Sequence, residues 1–140
     1  MALSSQLRFD SGAAERTRKE YAPYFAGFRL AGPSSAALDE LLAVCRHERI
    51  PAALMWMPEG EEFRKQYPAA MLRDARSFMA ELSTGFAAPF LDCREWAQDR
   101  DFSDSHHLTP AAAARFSRRF GREALLPLLP VSLRLGQPAN

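Results

Sequence analysis

The chain has 140 residues, of which 47% are hydrophobic and 25% are charged, as is typical of one soluble globular domain. Lys and Arg outnumber Asp and Glu by 18 to 17, which leaves a net charge of +1 and argues against bulk electrostatic binding to nucleic acid or anionic membrane. No apolar run approaches the ~20 residues of a membrane span, and two cysteines are too few for a disulfide framework or a zinc cage.

The N-terminal segment, residues 1–32, carries the weakest structural signals. A short strand is predicted around residues 7–9 and a charged helix over residues 13–25. The apolar anchors of that helix are expected to be Tyr21, Tyr24 and Phe25. A Gly-Pro-Ser-Ser sequence at residues 32–35 then predicts a loop and the capped start of a second helix. The second helix is expected to face the core with Leu38, Leu41, Leu42 and Cys45.

A continuous apolar run over residues 50–57 is typical of a strand that is covered on both faces, as in a parallel sheet. Trp56 and the methionines on either side of it are expected core residues. The turn at residues 58–60 ends the run. A helix is predicted to follow over residues 61–82, broken or kinked at Pro68.

The second strand is predicted over residues 87–91, a short apolar run that ends at Asp92. After a loop, Thr109 and Pro110 predict the start of the last helix, because threonine caps helices and proline suits their first position. That helix is expected to end at Pro127 and Pro130.

The order helix, strand, helix, strand, helix predicts an α/β fold, a three-layer flavodoxin-like arrangement with a small parallel sheet. We assign residues 1–140 to a single domain. Two predicted apolar strands make a thin sheet, because ordinary sheets have more strands. The sheet is therefore expected to be incomplete in this chain, and to be completed by a missing N-terminal half or by a partner such as a second copy.

Ligands of open α/β sheets bind outside the carboxyl ends of the strands, which here lead to Glu59 and Asp92. The loop before the last helix adds Asp104, His106 and His107. A carboxylate three residues before a histidine can reach its ring, fix its tautomer and stabilise its charged form, as a general base requires. The plainer alternative is that Asp104 and His107 only cap a turn.

A metal site is the weaker alternative for the same loop. Imidazole and carboxylate groups of Asp104, His106 and His107 suit zinc or manganese. Adjacent histidines on a turn commonly point apart, so we expect no metal and no cofactor. His106 is then expected to be an exposed or substrate-facing neighbour of His107.

The sequence around this loop resembles the last block of the SGNH (GDSL-type) hydrolase superfamily, which in relatives that modify cell-envelope polysaccharides reads F-x-D-x-x-H-L-N-x-x-G-A-x-x-F-S. The matching residues are Phe102, Asp104, His107, Leu108, Ala113, Phe116 and Ser117. Thr109 replaces the usual asparagine and Ala112 the usual glycine. The resemblance covers residues 37–128 and implies an SGNH-like fold, of which this chain would be the C-terminal half.

In that family the aspartate and histidine serve a serine in a Gly-Asp-Ser block near the N-terminus, and a Gly-x-Asn block supplies an oxyanion donor. The sequence contains neither block. Ser11 follows Asp10, but Phe9 stands where the glycine belongs, so Ser11 is a weak candidate nucleophile whose plainer role is to cap a helix.

The resemblance implies a serine ester hydrolase or O-acyltransferase that acts on an acylated carbohydrate or small molecule of the cell envelope. His107 would be the general base and Asp104 its orienting partner, with Glu59, Asp92 and His106 near the substrate. The alternative is a non-catalytic α/β interaction or scaffolding module with a degenerate site. The chain as given predicts a cytoplasmic location, and a fragment of an exported protein would work outside the cytoplasmic membrane.

Overall fold

The computed structural model of the chain describes residues 11–129. The predicted strand at residues 7–9 and the predicted helix end at Pro130 lie outside this range. The described elements are α1 (Ser11–Ala26), α2 (Pro33–His47), β1 (Leu54–Trp56), α3 (Glu61–Arg64), α4 (Ala69–Phe86), β2 (Phe90–Asp92), a 3₁₀ turn (Asp99–Asp101), α5 (Pro110–Phe120), a π-helical turn (Gly121–Leu125) and α6 (Leu126–Leu128).

Strands β1 and β2 pair in parallel, with Leu54 opposite Phe90, Met55 opposite Leu91 and Trp56 opposite Asp92. Parallel strands need a crossover connection, and here α3 and α4 supply it. The predicted α/β fold with a small parallel sheet is therefore confirmed, and within residues 11–129 the sheet has two strands.

The core lies where α2 and α4 meet this sheet. Its buried centre consists of Leu42 from α2, Leu54 from β1, Leu82 from α4 and Ala88 before β2. Six partly buried residues surround it: Leu38, Ala52, Phe78, Met79, Phe86 and Phe90. Burying each large aliphatic side chain contributes about 1.5–3 kcal/mol, so this cluster fixes the sheet against its helices.

Several predicted core residues are exposed, which corrects the sequence analysis. Met57 is 53% exposed and Ile50 55%, because the strand covers only Leu54–Trp56 and both residues fall outside the sheet. Leu41 is also exposed, since it points about 100° away from its buried neighbour Leu42 on α2. Tyr24 is 70% exposed and does not anchor α1.

The prolines act largely as predicted. Pro68 separates α3 from α4, and Pro110 is the first residue of α5, where Thr109 accepts a hydrogen bond from the Ala112 N–H at 3.4 Å. Pro127 does not end the last helix, which continues through Leu128. The wider π-helical turn just before it relieves the clash that proline causes in an α-helix. Among the described helices, none is both long and apolar enough to traverse a bilayer.

Candidate functional site

The loops that leave the carboxyl ends of the two strands are joined to the loop that contains Asp104 and His107. The Glu59 N–H donates to the Arg94 carbonyl at 3.1 Å, and the Gly60 N–H donates to the Ser105 carbonyl at 2.7 Å. A Cβ atom at Gly60 would lie only 2.7 Å from that carbonyl oxygen, so glycine permits the close approach. The histidine loop therefore lies at the edge of the sheet where the sequence predicted a site.

The histidine loop, residues 103–107, is closed at its base. Phe102 and Leu108 form an isolated antiparallel bridge, and the Ser103 N–H donates to the His107 carbonyl at 2.9 Å. Ser105 is fully buried and has a φ of 104°, a backbone conformation that residues other than glycine rarely adopt. This tight curve brings the side chains of residues 104 and 107 together.

Asp104 binds His107 through both the ring and the backbone. Its Oδ2 lies 2.7 Å from Nδ1 of His107, and its Oδ1 accepts the backbone N–H groups of His107 at 2.9 Å and of His106 at 3.2 Å. A carboxylate at Nδ1 favours the tautomer that carries its proton there and leaves Nε2 free to accept one. The His107 side chain is 68% exposed, so most of the ring faces solvent.

Asp104 stays ionised in this setting. Partial burial raises the pKa of its carboxyl group, but the hydrogen bonds from the His107 ring and from the two backbone N–H groups outweigh burial and hold the pKa below its usual value. The group is therefore a carboxylate at neutral pH, as stabilising an imidazolium requires.

The side chain of His106 is only 16% exposed, so the expectation of an exposed neighbour is wrong, while the expectation that it faces a substrate stays a prediction. Its ring stacks on Phe63 with centroids 4.9 Å apart and meets the edge of Tyr21, whose hydroxyl lies 3.4 Å from Nε2. Burial lowers the pKa of His106 against the opposing effect of the Asp104 carboxylate. The ring is therefore neutral at pH 7 and fixed by helices α1 and α3.

The two histidine rings do not point apart. Their centroids lie 3.9 Å from each other, because Asp104 accepts both backbone N–H groups and curls the loop around its carboxylate. The carboxylate and the two rings each offer an atom that could hold a metal, and these atoms lie within 4.8 Å of one another. The sequence rule that argued against a metal here is thus wrong for this turn.

Glu59 is held inside the protein beside the site. Tyr67 donates its hydroxyl to Oε1 of Glu59 at 2.5 Å, while Oε2 is buried and has no hydrogen-bond partner in the described part of the chain. Burial raises the pKa of Glu59, and the Tyr67 hydrogen bond only partly offsets it. Glu59 stays a predicted substrate-binding residue, and its observed contact is with Tyr67.

Asp92 is paired with a buried arginine. The Arg94 guanidinium donates from Nη2 to Oδ2 at 2.6 Å and from Nε to Oδ1 at 2.8 Å, and its carbon lies 4.0 Å from the centre of the Trp56 ring. The Arg94 side chain is only 6% exposed. A buried cation needs such a partner, so this contact gives Asp92 a structural role.

Replacing Asp92 with asparagine is expected to destabilise the protein at pH 7, because it leaves the Arg94 cation buried without its counter-charge. The Arg94 hydrogen bonds hold the pKa of Asp92 below its usual value. The native pKa therefore lies below the unfolded value of about 3.9, so this stabilisation is present above about pH 4 and is lost as pH falls through the native pKa. Urea unfolding at pH 7 and at pH 3 measures both effects.

Asp74→Asn is the matched control, since its partner Arg73 is exposed and exposed pairs contribute little. The Asp92→Asn variant should lose less stability between pH 7 and pH 3 than the wild type does. Equal losses in both proteins would contradict the assignment of Asp92 as a stabilising partner of Arg94.

Ser11 is the first residue of α1. Ten positions separate it from Tyr21, which contacts His106, and at 1.5 Å per residue this is about 15 Å along the helix axis. The backbone of Ser11 thus starts the helix about three turns before the part that reaches the histidine loop. Its role as a nucleophile stays a prediction.

The sequence analysis missed the residues that hold the site in place. Arg94 was available as a signal, because an arginine two residues after a strand-end aspartate can fold back to pair with it. Tyr21 and Phe63 gave no comparable signal, since they lie 85 and 43 residues before His106. Only the packing of α1 and α3 brings them to the ring.

Comparisons of the chain with family models, with curated proteins and with solved structures found no match. The resemblance to SGNH hydrolases therefore rests on the residues of the chain itself, above all the block that begins at Phe102. It stays a prediction, and the function is argued below from the geometry of the histidine loop.

Proposed function

We propose that this chain supplies the acid–base pair of an acyl-ester hydrolase or O-acyltransferase, with His107 as general base and Asp104 as its orienting partner. The observation that carries the proposal is the 2.7 Å contact between Oδ2 of Asp104 and Nδ1 of His107, whose own ring is exposed to solvent. The substrate class is an acylated carbohydrate or another acylated small molecule, as the resemblance to SGNH hydrolases implies.

The proposed reaction uses Nε2 of His107 twice. Nε2 first takes the proton of a serine hydroxyl as its oxygen attacks the ester carbonyl, and the imidazolium that forms is stabilised by Asp104. The tetrahedral intermediate then expels the alcohol, which receives that proton from Nε2. Water in a hydrolase, or an acceptor hydroxyl in a transferase, removes the acyl group from the serine by the same steps.

The serine is the part that the described site does not supply. Ser11 is the candidate within the sequence, and a serine from a preceding segment or from a partner chain is the other source. Both sources use the same Nε2 of His107, so the proposed role of the pair is common to them.

A second candidate function is a non-catalytic interaction module, and the hydrogen bonds of the loop favour it. Oδ1 of Asp104 accepts two backbone N–H groups, and Ser105 is buried beneath Gly60. These contacts would stabilise the turn even if His107 had no chemical role. The two candidate functions differ in whether replacing the His107 ring lowers the rate of ester hydrolysis.

The test measures hydrolysis of p-nitrophenyl acetate and labelling by a fluorophosphonate, with peptide mapping of the labelled serine. His107→Ala should lower the protein-dependent hydrolysis rate by about 10²–10⁴-fold, the usual contribution of a general base, and should abolish any labelling that the wild type shows. His47→Ala is the matched control, because His47 is also an exposed histidine beside a carboxylate, 3.6 Å from Glu48. It reports the background hydrolysis that any surface imidazole gives.

Labelling at Ser11 that depends on His107 would mean that the chain is a self-contained serine esterase. Hydrolysis that falls equally in the two histidine variants would contradict the proposal. That outcome, together with no labelling of the wild type, would favour the interaction module.

A further inference from the structure

Besides the proposed acid–base pair, the histidine loop brings together side chains of the types that bind metal ions. Ligand atoms of Asp104, His106 and His107 lie within 4.8 Å of one another. Nδ1 of His106 is buried and has no hydrogen-bond partner in the described structure, although it lies only 3.5 Å from Oδ1 of Asp104. A buried ring nitrogen without a partner, aimed at a carboxylate, is a costly arrangement that an ion between them would satisfy.

The distances fit a small tetrahedral cation. Zinc binds histidine nitrogen at about 2.0–2.1 Å and carboxylate oxygen at about 2.0–2.2 Å, so two of its ligands lie about 3.4 Å apart. The 3.5 Å between Nδ1 of His106 and Oδ1 of Asp104 matches this spacing. The 2.7 Å contact of His107 with Asp104 runs to the other carboxylate oxygen, Oδ2, so the exposed His107 ring would have to rotate to bring its nitrogen to an ion held at Oδ1, within a cluster whose ligand atoms already lie within 4.8 Å of one another.

The surroundings also prearrange the ligands. The ring of His106 is fixed between Phe63 and Tyr21, and the Tyr21 hydroxyl lies 3.4 Å from its Nε2. A metal-binding histidine commonly has such a partner on its second nitrogen, which orients the ring. His107 is held to the same carboxylate by its backbone N–H. The loop therefore loses little freedom when it binds an ion.

We propose that Asp104, His106 and His107 form a binding site for a divalent transition-metal ion, with zinc as the expected occupant. Two imidazoles and one carboxylate favour zinc, copper, nickel or cobalt over magnesium or calcium, which prefer oxygen ligands. Three protein ligands leave the fourth tetrahedral position open to water or to a ligand. The site goes beyond the proposed acid–base function, because an ion would take the place of the direct contact between Asp104 and His107.

The experiment titrates the purified full chain, free of any polyhistidine tag and of chelator, with Zn²⁺ by calorimetry and with Co²⁺ by visible absorption. We expect one site per chain and the intense visible bands of tetrahedral Co²⁺. His106→Phe keeps an aromatic ring between Phe63 and Tyr21 but removes Nδ1. It should weaken Zn²⁺ binding by at least about 100-fold, since even a group that only orients a ligand contributes 10–100-fold.

His47→Ala and Cys45→Ser are the matched controls, because both residues are metal-binding types located away from the histidine loop on α2. Both should bind Zn²⁺ like the wild type. Circular dichroism establishes that each variant is folded before it is titrated. Absence of a stoichiometric site in the folded wild type, or binding that His106→Phe leaves unchanged, would overturn the proposal.

These outcomes are independent of the proposed hydrolysis. Metal binding is read without a substrate, whereas the acid–base pair should work in the presence of a chelator. A chain that binds zinc but shows no His107-dependent hydrolysis would support the metal site and contradict the proposed function. A chain that hydrolyses esters in the presence of a chelator but binds no zinc would support the proposed function and contradict the metal site.

Discussion

Asp104→Asn is expected to lower the His107-dependent hydrolysis rate by about 10²–10⁴-fold while leaving the protein folded. The asparagine Oδ1 can still accept the two backbone N–H groups that Asp104 now binds. Its amide nitrogen, however, would face Nδ1 of His107 and donate to it. That contact favours the tautomer with the proton on Nε2, which cannot act as a base. Steady-state ester hydrolysis and urea unfolding of the same variant measure the two effects.

Asp104→Ala is the companion variant, because it removes both functions of the carboxylate. It leaves two backbone N–H groups of the loop without their acceptor, and the loss of each hydrogen bond should lower the free energy of unfolding by about 1 kcal/mol. We expect it to be less stable than Asp104→Asn and equally inactive. If Asp104→Asn hydrolysed esters at the wild-type rate, the carboxylate would serve the turn only, as in the interaction module.

Local sequence signals predicted the helices well because each signal acts within a few residues. Pro68 and Pro110 lack the N–H that an inner helical position donates, and both lie at helix boundaries, whereas Pro23 lies inside α1 and Pro127 inside α6. Thr109 caps the N-terminus that it immediately precedes. The Asp104–His107 contact belongs to the same class, because three residues and one tight turn determine it.

The strands were less predictable because their extent depends on tertiary pairing. The apolar run over residues 50–57 gives no sign of where the parallel partner stops. Strand β2 covers only Phe90–Asp92, so β1 pairs over the same length. Met57 then lies beyond the sheet and is exposed.

The surroundings of the site were unpredictable for the same reason. Tyr21 reaches His106 from a helix 85 residues away in sequence, and no local pattern encodes that distance. Of the two expectations for His106, exposed or substrate-facing, the first is wrong because it considered the turn alone. Packing by α1 and α3 turns the ring inward, which also creates the cluster of possible metal ligands.

Phe102, two positions before Asp104, has a structural role at the base of the histidine loop. Its side chain is fully buried, and its backbone forms the bridge with Leu108 that closes the histidine loop. The ring therefore anchors the base of the loop in the interior. Phe102 thus supports the loop that holds the Asp104–His107 pair.

Phe102→Ala is expected to reduce the free energy of unfolding by about 3–5 kcal/mol, as the loss of a buried aromatic ring leaves a cavity. This is a large fraction of the roughly 5–15 kcal/mol that stabilises a domain of ordinary size. Urea unfolding at pH 7 measures the change. Phe102→Leu retains much of the volume and should lose far less, about 1–2 kcal/mol.

Tyr24→Ala is the matched aromatic control, because Tyr24 is 70% exposed and surface substitutions usually change stability by less than about 0.5 kcal/mol. If Phe102 anchors the loop, the folded Phe102→Leu variant should also lose part of its His107-dependent hydrolysis, since small displacements of a general base reduce its rate. Equal stability losses in Phe102→Ala and Tyr24→Ala would show that the buried ring does not support the loop. The geometry of the pair would then depend on the contact between Gly60 and Ser105 instead.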